Sequence, residues 1–75
     1  MSNNVPSVVK VIELVGCSSD SMQNAVEVAV EEAAKTVRNL KGFDVVGWTG
    51  KIRDGKIIEY RANVKLSFLV EAKRK

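Results

Sequence analysis

Cys17 is the one residue in this sequence with ready nucleophilic chemistry, and it stands without a companion. There is no second cysteine and no histidine. Within one chain this excludes a disulfide, a Cys/His zinc site, a Ser-His-Asp triad and a Cys-His dyad. Cys17 sits just before a predicted helix start, where a thiolate is stabilised. Lacking a resolving thiol and an imidazole base, it reads better as a small residue at a strand end. No other pair of side chains forms an acid–base or nucleophile–base constellation, so no enzyme and no catalytic residue is expected.

The remaining candidates are charges. Glu13, Asp20 and Asp44 are isolated carboxylates. Single carboxylates are usually solvated, but copies gathered around a symmetry axis could hold a hard cation through oxygen ligands. Lys51, Arg53, Lys56 and Lys65 could form an anion-binding patch, although a solvated strand face is the simpler expectation. Residues 1–50 carry four basic and six acidic side chains, hence −2, and residues 51–75 carry eight and three, hence +5, which together make the net +3. Such asymmetry can mark an anionic partner. No basic block reaches five residues and aromatics make up only 5%, so nucleic acid is disfavoured.

These side chains need a scaffold. The length of 75 residues allows one small domain, and an apolar fraction of 45% with 28% charged residues is that of a folded chain. No apolar run approaches the ~20 residues of a membrane span. The start has neither a basic n-region nor an apolar h-region, so no secretory signal and a reduced, cytoplasmic setting are expected. A domain this small buries a limited core, and it has no disulfide or evident metal as a staple. Self-assembly is expected on that ground.

Residues 1–7 read as a frayed lead-in. Val8 to Val15 is a first strand that ends at Gly16. Its apolar residues fall on both parities, so both of its sides should be covered. Cys17-Ser18-Ser19-Asp20-Ser21 is helix-start chemistry. The spacing of Met22, Val26, Ala29, Ala33, Val37 and Leu40 predicts a helix over about Ser21 to Asn39, with Gly42 as its stop. Glu31 and Lys35 are spaced to pair on it. Phe43 to Ile52 is a second strand whose glycines, Gly47 and Gly50, suggest a bulge, a bend or a close neighbour. Arg53-Asp54-Gly55-Lys56 is a hairpin turn. Ile57 to Val70 alternates with period two, placing Ile58, Tyr60, Ala62, Val64, Leu66, Phe68 and Val70 on one face and Glu59, Arg61, Asn63, Lys65 and Ser67 on the other. Residues 71–75 should fray. The expected architecture is α+β, in the order β-α-β-β, with a three-stranded antiparallel sheet curled around one helix.

Several stretches, in this order, resemble the dodecins: Lys10-Val11-Ile12-Glu13-Leu14-Val15-Gly16; Ser18 and Ser21; Ala25-Val26; Lys35-Thr36-Val37-Arg38-Asn39-Leu40; Val45-Val46; and Asp54-Gly55-Lys56 leading to Tyr60 and Lys65. The similarity runs over residues 8–70 without gaps. Dodecins are short flavin-binding proteins that assemble into hollow spheres of twelve subunits. The resemblance therefore implies a homododecamer that stores and sequesters riboflavin or FMN, with ligand contacts at Lys41, Gly42, Asp44 and Arg61. In the family a tryptophan directly before the second strand stacks on the isoalloxazine ring, and a glutamine on the third strand meets the ring edge. Here these positions hold Gly42 and Arg61. The alternative is a dodecin-like shell that has lost flavin stacking and binds another anionic ligand, a cation, or nothing. Arginine donates to acceptors and stacks on flat rings but cannot accept a hydrogen bond, so it suits a phosphate better than a neutral ring. Trp48 shares parity with position 42 but lies about 20 Å further along a regular strand, so it cannot replace the missing indole in its own chain. A bulge at Gly47 or Gly50 would change its face. It reads as a packing or interface residue.

Overall fold

A computed structural model of the chain describes residues 7–70. The expected lead-in, Ser7 apart, and the expected tail lie outside the described residues. The elements run β1 (Val8–Ser18), α1 (Met22–Ala34), β2 (Leu40–Arg53) and β3 (Lys56–Val70). The strands form one antiparallel sheet in the order β1-β3-β2, so the longest strand lies at the centre. The α+β, β-α-β-β reading holds. The clean alternation of β3 explains its place, because a central strand with one face on the core must separate apolar from polar residues. Ala62, Val64 and Leu66 are at most 1% exposed and pack with Ala25, Val26, Ala29 and Ala33 of α1. Arg61, Asn63, Lys65 and Ser67 take the opposite parity and occupy the far face of the sheet.

The serine run starts α1 as its chemistry predicts. Ser21 is the N-cap, and its Oγ accepts from the Asn24 N–H at 3.0 Å. The buried Ser18 Oγ accepts from the Asp20 N–H at 2.9 Å and donates to Asn24 Oδ1 at 2.7 Å. Gly16 does not end the first strand, which continues to Ser18. It is instead where α1 presses on the sheet. A Cβ at Gly16 would collide with the Ala25 carbonyl oxygen and stand 3.0 Å from the Ala29 Cβ.

The helix closes about five residues earlier than its apolar stripe suggests. It ends at Ala34, and Lys35 N–H and Thr36 N–H bond three residues back, to Glu32 and Ala33. This tightening is the ordinary close of a helix. The β-branched pair Thr36-Val37 then favours leaving it. The chain turns at Asn39, whose φ of 64° is one that asparagine tolerates. Its N–H-bearing side chain donates to the Leu69 carbonyl at 3.4 Å, and its own carbonyl accepts from the Leu69 N–H at 3.1 Å. Gly42 is therefore not a helix stop but part of β2. Val37 and Leu40 are half-buried from outside the helix, and Leu40 packs against the core. Lys35 pairs at 3.2 Å with Glu32 rather than Glu31, and both side chains are largely exposed. That pair contributes little.

The β2–β3 hairpin turns on Asp54 and Gly55, with φ of 53° and 76°, the signature of a tight two-residue connection. The β2 ladder breaks register between Leu40 and Gly42, between Val45 and Gly47, and between Lys51 and Ile52. Gly50 is the close approach: a Cβ there would lie 2.8 Å from the Glu59 carbonyl oxygen.

Gly16→Ala tests the seat of the helix. The collision is with backbone, which cannot swing aside, so the variant should lose about 1–3 kcal/mol of stability, as overpacked cores do. The midpoint of urea unfolding measures it. A midpoint equal to that of the parent chain would mean the helix does not rest on Gly16.

Candidate functional site on the far face of the sheet

Register places the charged residues in rows across the far face. Glu13, Lys65 and Asp44 form one row, with Lys65 in the middle. Cys17, Arg61 and Thr49 form another. Gly42 stands opposite Ser67, two positions further along β3 from Lys65. Lys41 falls in the irregularity between Leu40 and Gly42, at the start of β2. Three of the four sequence-predicted contacts, Lys41, Gly42 and Asp44, are thus neighbours.

Arg61 is not with them. From Ser67 to Arg61 is six residues along β3, about 20 Å. The candidate contacts of one chain therefore fall into two separate clusters. At the start of β2, Val30, Leu40, Phe43 and Leu66 border a depression of about 180 Å³ that opens on the helix side, with Lys41 and Gly42 at its rim. Sites that enclose small ligands usually exceed ~300 Å³. Gly42 itself is open except toward Ser67, whose Oγ would be 3.2 Å from an added Cβ. At the other end, Arg61 Nε donates to Glu59 Oε1 at 3.2 Å, and the two side chains are 39% and 29% exposed. Arg61 thus pairs with Glu59 within its own chain. The pairing holds one edge of the guanidinium and leaves its two terminal nitrogens free of hydrogen-bonded partners among the described residues.

Trp48 lies on the other face. The bulge between Val45 and Gly47 inserts one residue, so Gly42 meets Ser67 on the far face while Trp48 meets Ala62 on the helix side. Counting parity through β2 fails for this reason. There Trp48 and Phe43 border a groove of about 780 Å³ between α1 and β2, with Val26, Val30, Glu27 and Glu31 along the helix. The sequence signal for this groove was the Val45-Val46-Gly47 run, which interrupts the alternation. It marks a bulge but not which side the indole takes.

The other candidates are dispersed. Cys17 is exposed. Glu13, Asp20 and Asp44 do not converge, and among the described residues no three Cys, Asp or Glu side chains stand close enough to hold a metal ion. Among those residues no helix is long and apolar enough to cross a membrane.

Comparison with known proteins places this geometry. The Dodecin family model matches residues 8–71. A dodecin of Thermus thermophilus is 34% identical over 64 residues, which is 85% of this chain and 93% of that one. The structure of dodecin from Streptomyces coelicolor superposes with a TM-score of 0.85 at 37% identity, over 97% of this chain and 100% of that one. A crystal structure from Mycobacterium tuberculosis, described as a calcium dodecin with a novel calcium-binding site, superposes with a TM-score of 0.75 at 30% identity, over 92% and 99%. The match covers the helix and every strand of the sheet, and the chain belongs to the dodecin family.

Proposed function

We propose that the chain is a non-enzymatic, cytoplasmic binding protein that assembles into a homododecamer and stores a flavin, riboflavin or FMN. Its ligand sites form where Lys41, Gly42 and Asp44 of one copy approach Arg61 of another. The observation that supports this is the split of the site: one chain sets its two halves about 20 Å apart on one sheet face. A flavin ring system is shorter than that, so two copies must supply one site. The exposed apolar residues Val9, Val11 and Val15 on the far face of β1, each more than half exposed, are consistent with a further copy covering them.

The same residues set the ligand preference. Gly42 offers no indole, and each lost stacking contact weakens binding by about 1–3 kcal/mol, by analogy with nucleobases. Arg61 keeps free donors and a positive charge for an acceptor-rich ligand. FMN should therefore bind more tightly than neutral riboflavin. A cation is a weaker reading within one chain, because Lys65 stands between Glu13 and Asp44 and opposes it. The alternative that Arg61 favours is a shell that holds another anionic ligand in place of flavin.

Titration of riboflavin and FMN into the protein, followed by flavin fluorescence, tests the reading, with sedimentation of the same sample for the assembly. Gly42→Trp should tighten flavin binding about ten- to hundredfold and quench the bound flavin, since Ser67 Oγ can rotate away from the new side chain. Unchanged affinity would place the ligand elsewhere.

Arg61→Gln separates the ligand role of this residue from a structural one. Its half-exposed pair with Glu59 should contribute no more than about 1 kcal/mol to stability. The preference for FMN over riboflavin should disappear while the unfolding midpoint barely moves. A large stability loss with the preference intact would make Arg61 a structural residue.

A further inference from the structure

We propose that the β2–β3 hairpin tip of one copy seats in the groove between α1 and β2 of the next copy. This deepens the assembly reading and rests on it, by naming the two surfaces that meet.

The groove exists because α1 packs on β1 and β3 and barely touches β2. Its floor is apolar, and its aromatic residues are bare: Phe43 is 60% exposed and Trp48 48%. Indole and phenyl rings left this open in a row are a binding surface rather than scattered exposure. Its helix side carries Glu27 and Glu31. Glu27 accepts only from the Gln23 amide, and Glu31 has no hydrogen-bonded partner among the described residues.

The hairpin tip has the opposite character. Ile52 and Ile57 face each other across the ladder and are 72% and 58% exposed. Around them stand Lys51, Arg53 and Lys56, with Asp54 in the turn. Residues 51–56 thus carry three positive charges and one negative, net +2, against −2 on the groove wall from Glu27 and Glu31. Apolar matches apolar and the charges are complementary, which favours this pairing over tip-on-tip or groove-on-groove.

The contact cannot close within one chain. Trp48 and Ile52 belong to the same strand, about 13 Å apart along it. The paired ladder of β2 and β3 keeps the tip pointing away from the groove. Two different surfaces therefore meet between copies. Each copy gives a tip and receives one, which is a heterologous contact that closes into a ring when the rotation permits.

Trp48 is the only tryptophan, so its emission reports the groove. In the assembled wild-type chain it should be blue-shifted and shielded from iodide. Ile57→Asp lies far from Trp48 in its own chain and at an exposed position. It should red-shift that emission, restore quenching and raise the concentration needed for assembly at least tenfold, with the circular dichroism of the fold unchanged. Glu27→Lys with Glu31→Lys should do the same. Adding Lys51→Glu, Arg53→Glu and Lys56→Glu to that chain should restore assembly and the blue shift. If Ile57→Asp proves unfolded, the charge exchange decides alone: reversal without loss, or loss without rescue, overturns the proposal. An assembled wild-type chain with a fully quenchable Trp48 overturns it and leaves the assembly reading standing. A chain that sediments as a monomer at micromolar concentration overturns both.

Discussion

The rest of the structure depends on the contact between α1 and Gly16. The Ala25 carbonyl oxygen occupies the space a side chain at position 16 would need, and Ala25, Ala29 and Ala33 bring the helix backbone down onto the sheet. A helix seated this closely is fixed over β1 and β3. Thirteen residues of helix reach about 20 Å, whereas the fifteen residues of β3 extend about 50 Å. Much of the hairpin therefore has no helix above it. The core stays small, with Leu66 and Val64 as its largest fully buried side chains among the described residues. The apolar groups that α1 does not cover, from Phe43 and Trp48 to Ile52 and Ile57, remain on the surface.

The second constraint is the irregular register of β2. β3 has a single register with β1 throughout, because its helix-side residues must all face the core. β2 is an edge strand, touched little by the helix, and can slip without exposing that core. The β2–β3 register shifts three times, twice by an extra residue in β2 and once, near the hairpin tip, by the extra Ile58 in β3. The break after Val45 turns Trp48 toward the helix while Gly42 and Asp44 face away. One strand thus serves both faces, with the candidate residues Gly42 and Asp44 on the far face at its start and an apolar groove wall in its middle.

How much of this was legible in the sequence follows from which forces act locally. The alternation of β3, the Asp54-Gly55 turn and the Ser21 cap are short-range signals, and each element formed where its pattern lay. The apolar stripe overruns the helix end because Val37 and Leu40 continue it in sequence. Both are half-buried outside the helix, Leu40 packing on the core from a strand, and periodicity registers only that they are shielded. Gly42 and Gly16 depart from the stop signals they resemble for a related reason. A glycine after a helix or a strand reads as a stop, and only the fold reveals that position 16 lies beneath a helix and position 42 inside a strand. The family resemblance gave the candidate contacts as one set, while the register divides them into two clusters. Nothing local in the sequence expresses the six-residue separation along β3 as a distance between half-sites.

That division has a thermodynamic consequence on the proposed reading. A site completed only when two copies meet is absent from the free subunit. Ligand then binds the assembled form alone and stabilises it by RT ln(1 + [L]/Kd) per site. At a free ligand concentration of 100 Kd this is about 2.7 kcal/mol per site. With weak stacking at Gly42 the dissociation constant rises, and the same ligand concentration stabilises the shell less. The tip-in-groove contact involves neither Gly42 nor Arg61, so it can hold subunits together whether or not ligand is present. A member of this family can in that way lose the indole that grips its ligand and still keep a subunit contact on the opposite face of the same sheet.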